Sequence, residues 1–99
     1  MKKEEPIMRE IKKGNHKFFI GEDEEHIQAE LTYKDKDANT IIADHTFVPE
    51  EWRGEGVAGQ LFNHLIDFAR KENLKIIPTC PYIEKKMTRT SEYNDVLAE

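Results

Sequence analysis

Hydrophobic positions change their spacing partway along this chain, and the change divides it into strands and helices. Across residues 26–33 they alternate, with Ile27, Ala29, Leu31 and Tyr33 on one side and His26, Gln28, Glu30 and Thr32 on the other, the period of two expected of a half-buried strand. Residues 16–20, aromatic and β-branched and closed by Gly21, Glu22 and Asp23, predict a strand before it. Residues 40–48, ended by Pro49, predict a strand after it. The connections are short and polar, so the three strands form an antiparallel meander, the arrangement that brief turns permit. From Val57 onward the period lengthens: Val57, Leu61, Phe62, Leu65, Ile66 and Ala69 make a stripe along one side of a helix beginning near Gly56, and Asn73 is its stop. Residues 74–77 predict a fourth strand, limited by Pro78. Pro81 opens a second helix that carries Tyr82, Ile83 and Met87 and runs to about Arg89. The tail keeps Tyr93, Val96 and Leu97 as docking contacts, whereas residues 1–12 are charged, aperiodic and expected to be peripheral. The predicted fold class is α/β of the α+β type, in the order β-β-β-α-β-α.

Length and composition narrow the functional classes. Ninety-nine residues suit a single domain, 1–99, with one modest core. With 15 Lys and Arg against 20 Asp and Glu, the formal charge is -5, opposite to what binding a nucleic-acid backbone favours. There is no apolar run of membrane-spanning length, and Met1 to Pro6 lack a signal-peptide core, so the expected location is the cytoplasm. The single cysteine, Cys80, cannot form an internal disulfide, and His16, His26 and His64 are scattered without metal-ligand spacing, so no metal is expected. The acidic run at 22–25 and the mixed charges at 34–37 fit solvated turns.

Candidate chemistry concentrates in Arg53-Gly54-Glu55-Gly56-Val57-Ala58-Gly59, between a strand and a helix. Glycines let the backbone approach a ligand, and the first amides of a helix have no intrahelical acceptors, a combination suited to a pyrophosphate. The glycine spacing matches the dinucleotide-binding pattern, but it follows an antiparallel meander instead of opening a βαβ unit. A glycine-rich turn before an ordinary helix satisfies the same letters.

Arg53-x-x-Gly56-x-Ala58, preceded by His45-Thr46-Phe47-Val48-Pro49 and followed by an amphipathic helix, resembles the acetyl-CoA-binding motif of the GNAT superfamily of N-acetyltransferases. The segment 76–83, with Arg89, Glu92 and Tyr93, is similar to its small, single-domain YjdJ-type branch, so the likeness covers roughly residues 15 to 97. The resemblance implies a GNAT-like fold with acetyl-CoA as acyl donor and an amine as acceptor. It implies that the strand at Thr46, Phe47 and Val48 pairs with the pantetheine arm. Arg53, Gly54, Glu55, Gly56, Val57, Ala58 and Gly59 would then hold the two phosphates. The thioester would sit in a notch where the strands at 40–48 and 74–78 splay apart. The chain is too short for the helices that larger members place between their first strands, which leaves the acceptor side open and allows a peptide or protein amine.

In that frame Cys80, just before Pro81, stands at a helix N-terminus, a setting that favours thiolate. It is a candidate nucleophile forming an acetyl-enzyme, a general acid for the departing CoA thiolate, or a buried small residue. His45, on the strand expected to line the donor, is the candidate base, because histidine exchanges protons readily near neutral pH; a half-buried sheet histidine is the plainer alternative. Tyr82 fits a general acid or a core aromatic, and Trp52 an anchor beside the loop. Lys85, Lys86 and Arg89 offer either a contact for the ribose phosphate or an exposed basic face. Two functions follow: an acetyl-CoA-dependent N-acetyltransferase acting on a primary amine, or a CoA-binding module without useful turnover that serves as a sensor or partner-binding domain.

Overall fold

The computed structural model describes residues 9–98. Strands β1 (Lys12–Gly14), β2 (Lys17–Gly21), β3 (Ile27–Asp37), β4 (Thr40–Phe47) and β5 (Lys75–Pro78) lie side by side in chain order. The first three pairings are antiparallel and the last, β4 with β5, is parallel. A parallel neighbour needs a crossover, which helix α1 (Val57–Glu72) supplies; helix α2 (Pro81–Thr88) follows β5. The architecture is mixed α/β, with the predicted order preserved and one strand added at the front.

That added strand, β1, has no apolar residue: it reads Lys-Lys-Gly. What holds it is long-range. Lys12 Nζ donates to the carbonyls of Gly21 and Glu22 at 2.9 and 3.1 Å, and Lys13 Nζ lies 5.1 Å from the ring centroid of Phe68. Cations over aromatic faces and apolar lysine stems give a charged strand a packed side. Just before it, Ile11 is half-buried against the core.

One face of the sheet builds the core. Ala29, Leu31 and Tyr33 of β3, Ile41 and Ala43 of β4 and Ile76 of β5 pack with Val57, Leu61, Phe62, Leu65, Ile66 and Ala69, the whole predicted stripe of α1. Burying each large apolar side chain contributes roughly 1.5–3 kcal/mol relative to exposure. Ile83, Met87 and Val96 close the same cluster. Asn73 ends α1 in the left-handed region at φ 57°, its predicted role, and Leu74 N–H returns to the Ala69 carbonyl at 2.8 Å. Single 3-10 turns form at Glu50–Trp52 and Ser91–Tyr93, and the tail pairs Leu97 with Ile76, so β5 is held on both sides.

Candidate functional site

β4 begins paired and ends open. Its partners in β5 run from Thr40↔Lys75 to Ala43↔Pro78 and stop there, whereas β4 continues to Phe47. The Ala43 carbonyl accepts the last ties, from the Thr79 and Cys80 amides at 3.0 and 3.1 Å and the Thr79 hydroxyl at 3.3 Å. Pro78 and Pro81, lacking N–H groups, bracket this exit. Beyond it β5 turns into α2, and β4 is left with a free edge.

A bulge sits at the same point. Tyr33 faces Ala43, but Thr32 faces His45, so Asp44 is an extra residue on β4. The Thr32 hydroxyl donates to Asp44 Oδ1 at 2.7 Å. A bulge bends its strand and resets which side each residue faces. Thr46 therefore stands opposite buried Leu31, on the core face, while His45 and Phe47 stand opposite Thr32 and Glu30 on the other. Simple alternation from Ala43 predicts the reverse.

The loop after β4 is a single 3-10 turn, Glu50–Trp52, followed by two glycines in left-handed conformation, Gly54 at φ 88° and Gly56 at φ 81°. Only glycine takes this geometry cheaply. Gly56 is the N-cap of α1 and supplies no side-chain cap, so the first amides of the helix are left for another acceptor. A Cβ placed on Gly54, Gly56 or Gly59 would meet nothing within 4 Å, so the loop opens onto free space.

That space is a cleft of about 410 Å³ lined by Thr46, Val48, Trp52, Arg53, the glycines, Val57, Ala58 and Tyr82. Arg53 Nε donates to the Val48 carbonyl at 3.4 Å, tying the loop to the end of β4. Cys80, the N-cap of α2, is buried, with Sγ 3.5 Å from Thr46 Oγ1. Burial, with further contributions from Cys80 and Tyr93, raises the Tyr82 pKa above its ordinary 10.0, so its hydroxyl keeps a proton at neutral pH.

The structure thus brings Thr46, Val48, Arg53, Gly54, Gly56, Val57, Ala58 and Gly59 around one cleft, with Cys80 buried behind Thr46 and not itself part of the lining. It does not bring three of the sequence-predicted residues there. Phe47 is 46% exposed on the opposite face. Glu55 is not part of the lining, and its carboxylate is 2.8 Å from Arg9. His45 lies exposed beside Glu30, 3.9 Å from its carboxylate. Tyr82 and Trp52, given minor roles from sequence, both line the cleft. Arg9 was not singled out by any motif. Among the described residues no group of acids, histidines or cysteine is arranged to hold a metal, and no helix is long and apolar enough to cross a membrane.

Comparison with known proteins places this geometry. Residues 17–96 match the model of the GCN5-related N-acetyl-transferase family. A GCN5-like protein from Staphylococcus aureus, solved in solution by NMR, is 42% identical and superposes with a TM-score of 0.75 over 90% of this chain and 87% of its own. Protein NATD1 of Xenopus tropicalis is 40% identical over 60 residues, 61% of this chain and 55% of that one, so the match spans little more than half of that relative. A GNAT family acetyltransferase from Elizabethkingia anophelis, crystallised with acetyl-CoA, shares the fold at 19% identity and a TM-score of 0.51, covering 63% of this chain and 40% of that one. The family model covers most of the chain and the Staphylococcus aureus protein shares its fold over nearly its whole length: the chain belongs to the GCN5-related N-acetyltransferase family.

Proposed function

We propose that this protein is an acetyl-CoA-dependent N-acetyltransferase that moves the acetyl group to a primary amine of a small molecule or peptide in the cytoplasm. The observation that carries the reading is a juxtaposition: a left-handed glycine loop at the N-terminus of α1, a free β4 edge, and a buried thiol 3.5 Å from Thr46 meet at one cleft. The α1 amides and Arg53 are suited to the diphosphate. The edge of Thr46, Phe47 and Val48 is suited to an extended amide-bearing arm, which would continue the sheet where β5 leaves it.

The chemistry follows from position. Cys80 Sγ attacks the thioester carbonyl, the C–S bond to CoA breaks, and the proton lost by the Cys80 thiol passes to the departing CoA sulfur, with the Tyr82 hydroxyl, which lines the cleft, available to relay it. The amine then attacks the S-acetyl group, releasing the Cys80 thiol and the amide. His45, on the opposite face of β4 beside Glu30, does not reach this centre and takes no part in the step.

The test is a calorimetric titration with acetyl-CoA beside Gly56→Glu, whose carboxylate would fill the anion site, and Gly56→Ala, which imposes similar backbone strain without charge. The expected result is binding by the native protein, weaker binding by the alanine variant and none by the glutamate variant. Failure of the native protein to bind refutes the assignment. Intact mass after exposure to acetyl-CoA should rise by one acetyl group, and not in Cys80→Ala. Turnover with unchanged mass would favour direct transfer. A second reading, a CoA-binding module with little turnover, has one observation in its favour: among the described residues no α-helix precedes α1 to build an acceptor wall. Amine-dependent release of CoA separates the two.

A further inference from the structure

The loop read as a diphosphate site contains a carboxylate. Glu55 lies between the two left-handed glycines, where the backbone is least restrained, and its charge is of the wrong sign for an anion-binding turn. The structure deals with it through Arg9, 46 residues away in sequence. Arg9 Nη1 donates to Glu55 Oε1 at 2.8 Å, and the Arg9 guanidinium carbon lies 3.9 Å from the ring centroid of Trp52. The Arg9 side chain is only 16% exposed, so it is packed into place. Trp52 in turn lines the cleft. The Glu55 amide donates to the Trp52 carbonyl at 3.2 Å, which fixes the turn carrying both residues.

We propose that Arg9 is a positioning residue for the phosphate site: by pairing with Glu55 and stacking on Trp52 it holds the loop's own carboxylate away from the α1 amides, making the segment before β1 a working part of donor recognition. The inference rests on reading 53–59 as the diphosphate loop. Arg9 acts through Glu55, cancelling a charge that would otherwise repel the ligand. Like-charge repulsion at a solvent-facing site is screened by salt, so the effect must shrink as ionic strength rises.

The experiment is a double-variant cycle read by calorimetry with acetyl-CoA, using the full chain, Arg9→Gln, Glu55→Gln and the pair, at low and high salt. Arg9→Gln should weaken binding about fivefold at low salt, the size expected of one exposed charge interaction. Glu55→Gln should tighten it about twofold, again within that range. The double variant should match Glu55→Gln, and high salt should erase most of the Arg9→Gln loss. Arg9→Lys should keep most of the native affinity and guards against a folding defect in Arg9→Gln. The proposal is overturned if Arg9→Gln binds like the native protein, if its loss survives in the double variant, which would mean that Arg9 acts on the ligand directly or through Trp52 and not through Glu55, or if the loss is indifferent to salt, which would mean that Arg9 only packs Trp52. If the native protein itself does not bind acetyl-CoA, the reading of the loop fails first, and this inference with it.

Discussion

The two halves of β4 are neighbours in sequence and opposites in use. Residues Thr40 to Ala43 are held by β3 on one side and β5 on the other, with Ile41 and Ala43 in the core. Residues 44–47 keep β3 but have lost β5, and their one core-facing hydroxyl meets a thiol. The first half shows how a strand contributes to stability by being enclosed. The second shows how the same strand makes a site by being released. The bulge at Asp44 lies at the point of change, and bulges bend the strand that carries them.

The comparison can be broken at either end. The largest effect is expected in the enclosed half: Ile76→Ala empties a fully buried position against Ile41 and should cost about 3–4 kcal/mol in urea unfolding. Acetyl-CoA affinity, measured where the variant is still folded, should stay within about twofold, a change worth less than the stability loss by a wide margin. Deleting Asp44 should do the reverse. It removes the bulge yet leaves Thr46 facing the core, so the protein should fold while the straightened strand closes the notch and acetyl-CoA binding weakens about 30-fold, roughly 2 kcal/mol. Retained affinity would show that the bend does not make the site. Thr46→Val, which removes only the hydroxyl beside Cys80, should slow acetylation of Cys80 about threefold and shift stability by less than about 1 kcal/mol. Stopped-flow mass analysis at a single turnover reads it.

The smallest effect lies at the outer support of the enclosed half. Arg70 donates to Asp95 at 2.9 and 3.1 Å, and Lys75, the first residue of β5, donates to the Asp95 carbonyl at 2.6 Å. The hydrogen bond from Arg70 lowers the Asp95 pKa below the ordinary 3.8. Its stabilisation is thus present above pH 3.8 and lost as pH falls through the lowered value. Asp95→Asn should reduce Tm by about 1 °C at neutral pH. The gap should close below pH 3.8.

Much of this was legible in the residues. The α1 stripe, its Asn73 stop, the glycine loop and the position of Cys80 before Pro81 all rest on local preferences that a sequence states directly. β1 was not legible, because Lys12-Lys13-Gly14 becomes a strand only through β2, Phe68 and the carbonyls its lysines reach. The face presented by His45 was not legible either. Alternation assumes that no residue is added, and Asp44 is marked as a bulge only by its partners across the sheet. Trp52 and Tyr82 read as packing residues because aromatic side chains serve cores and clefts alike, and Arg9 acquires its role from a contact between distant segments.

The single parallel pairing also sets an order of assembly. β1 to β4 can zip up between chain neighbours, each turn closing a short loop, but β5 can join only after the α1 crossover has brought its ends together, a later and entropically costlier closure. The β4–β5 seam is therefore expected to close late in folding, which amide exchange during refolding would show. A donor lying along the free edge of β4 would be binding at this late-closing seam of the sheet, and would protect its amides from exchange far more than those of the meander.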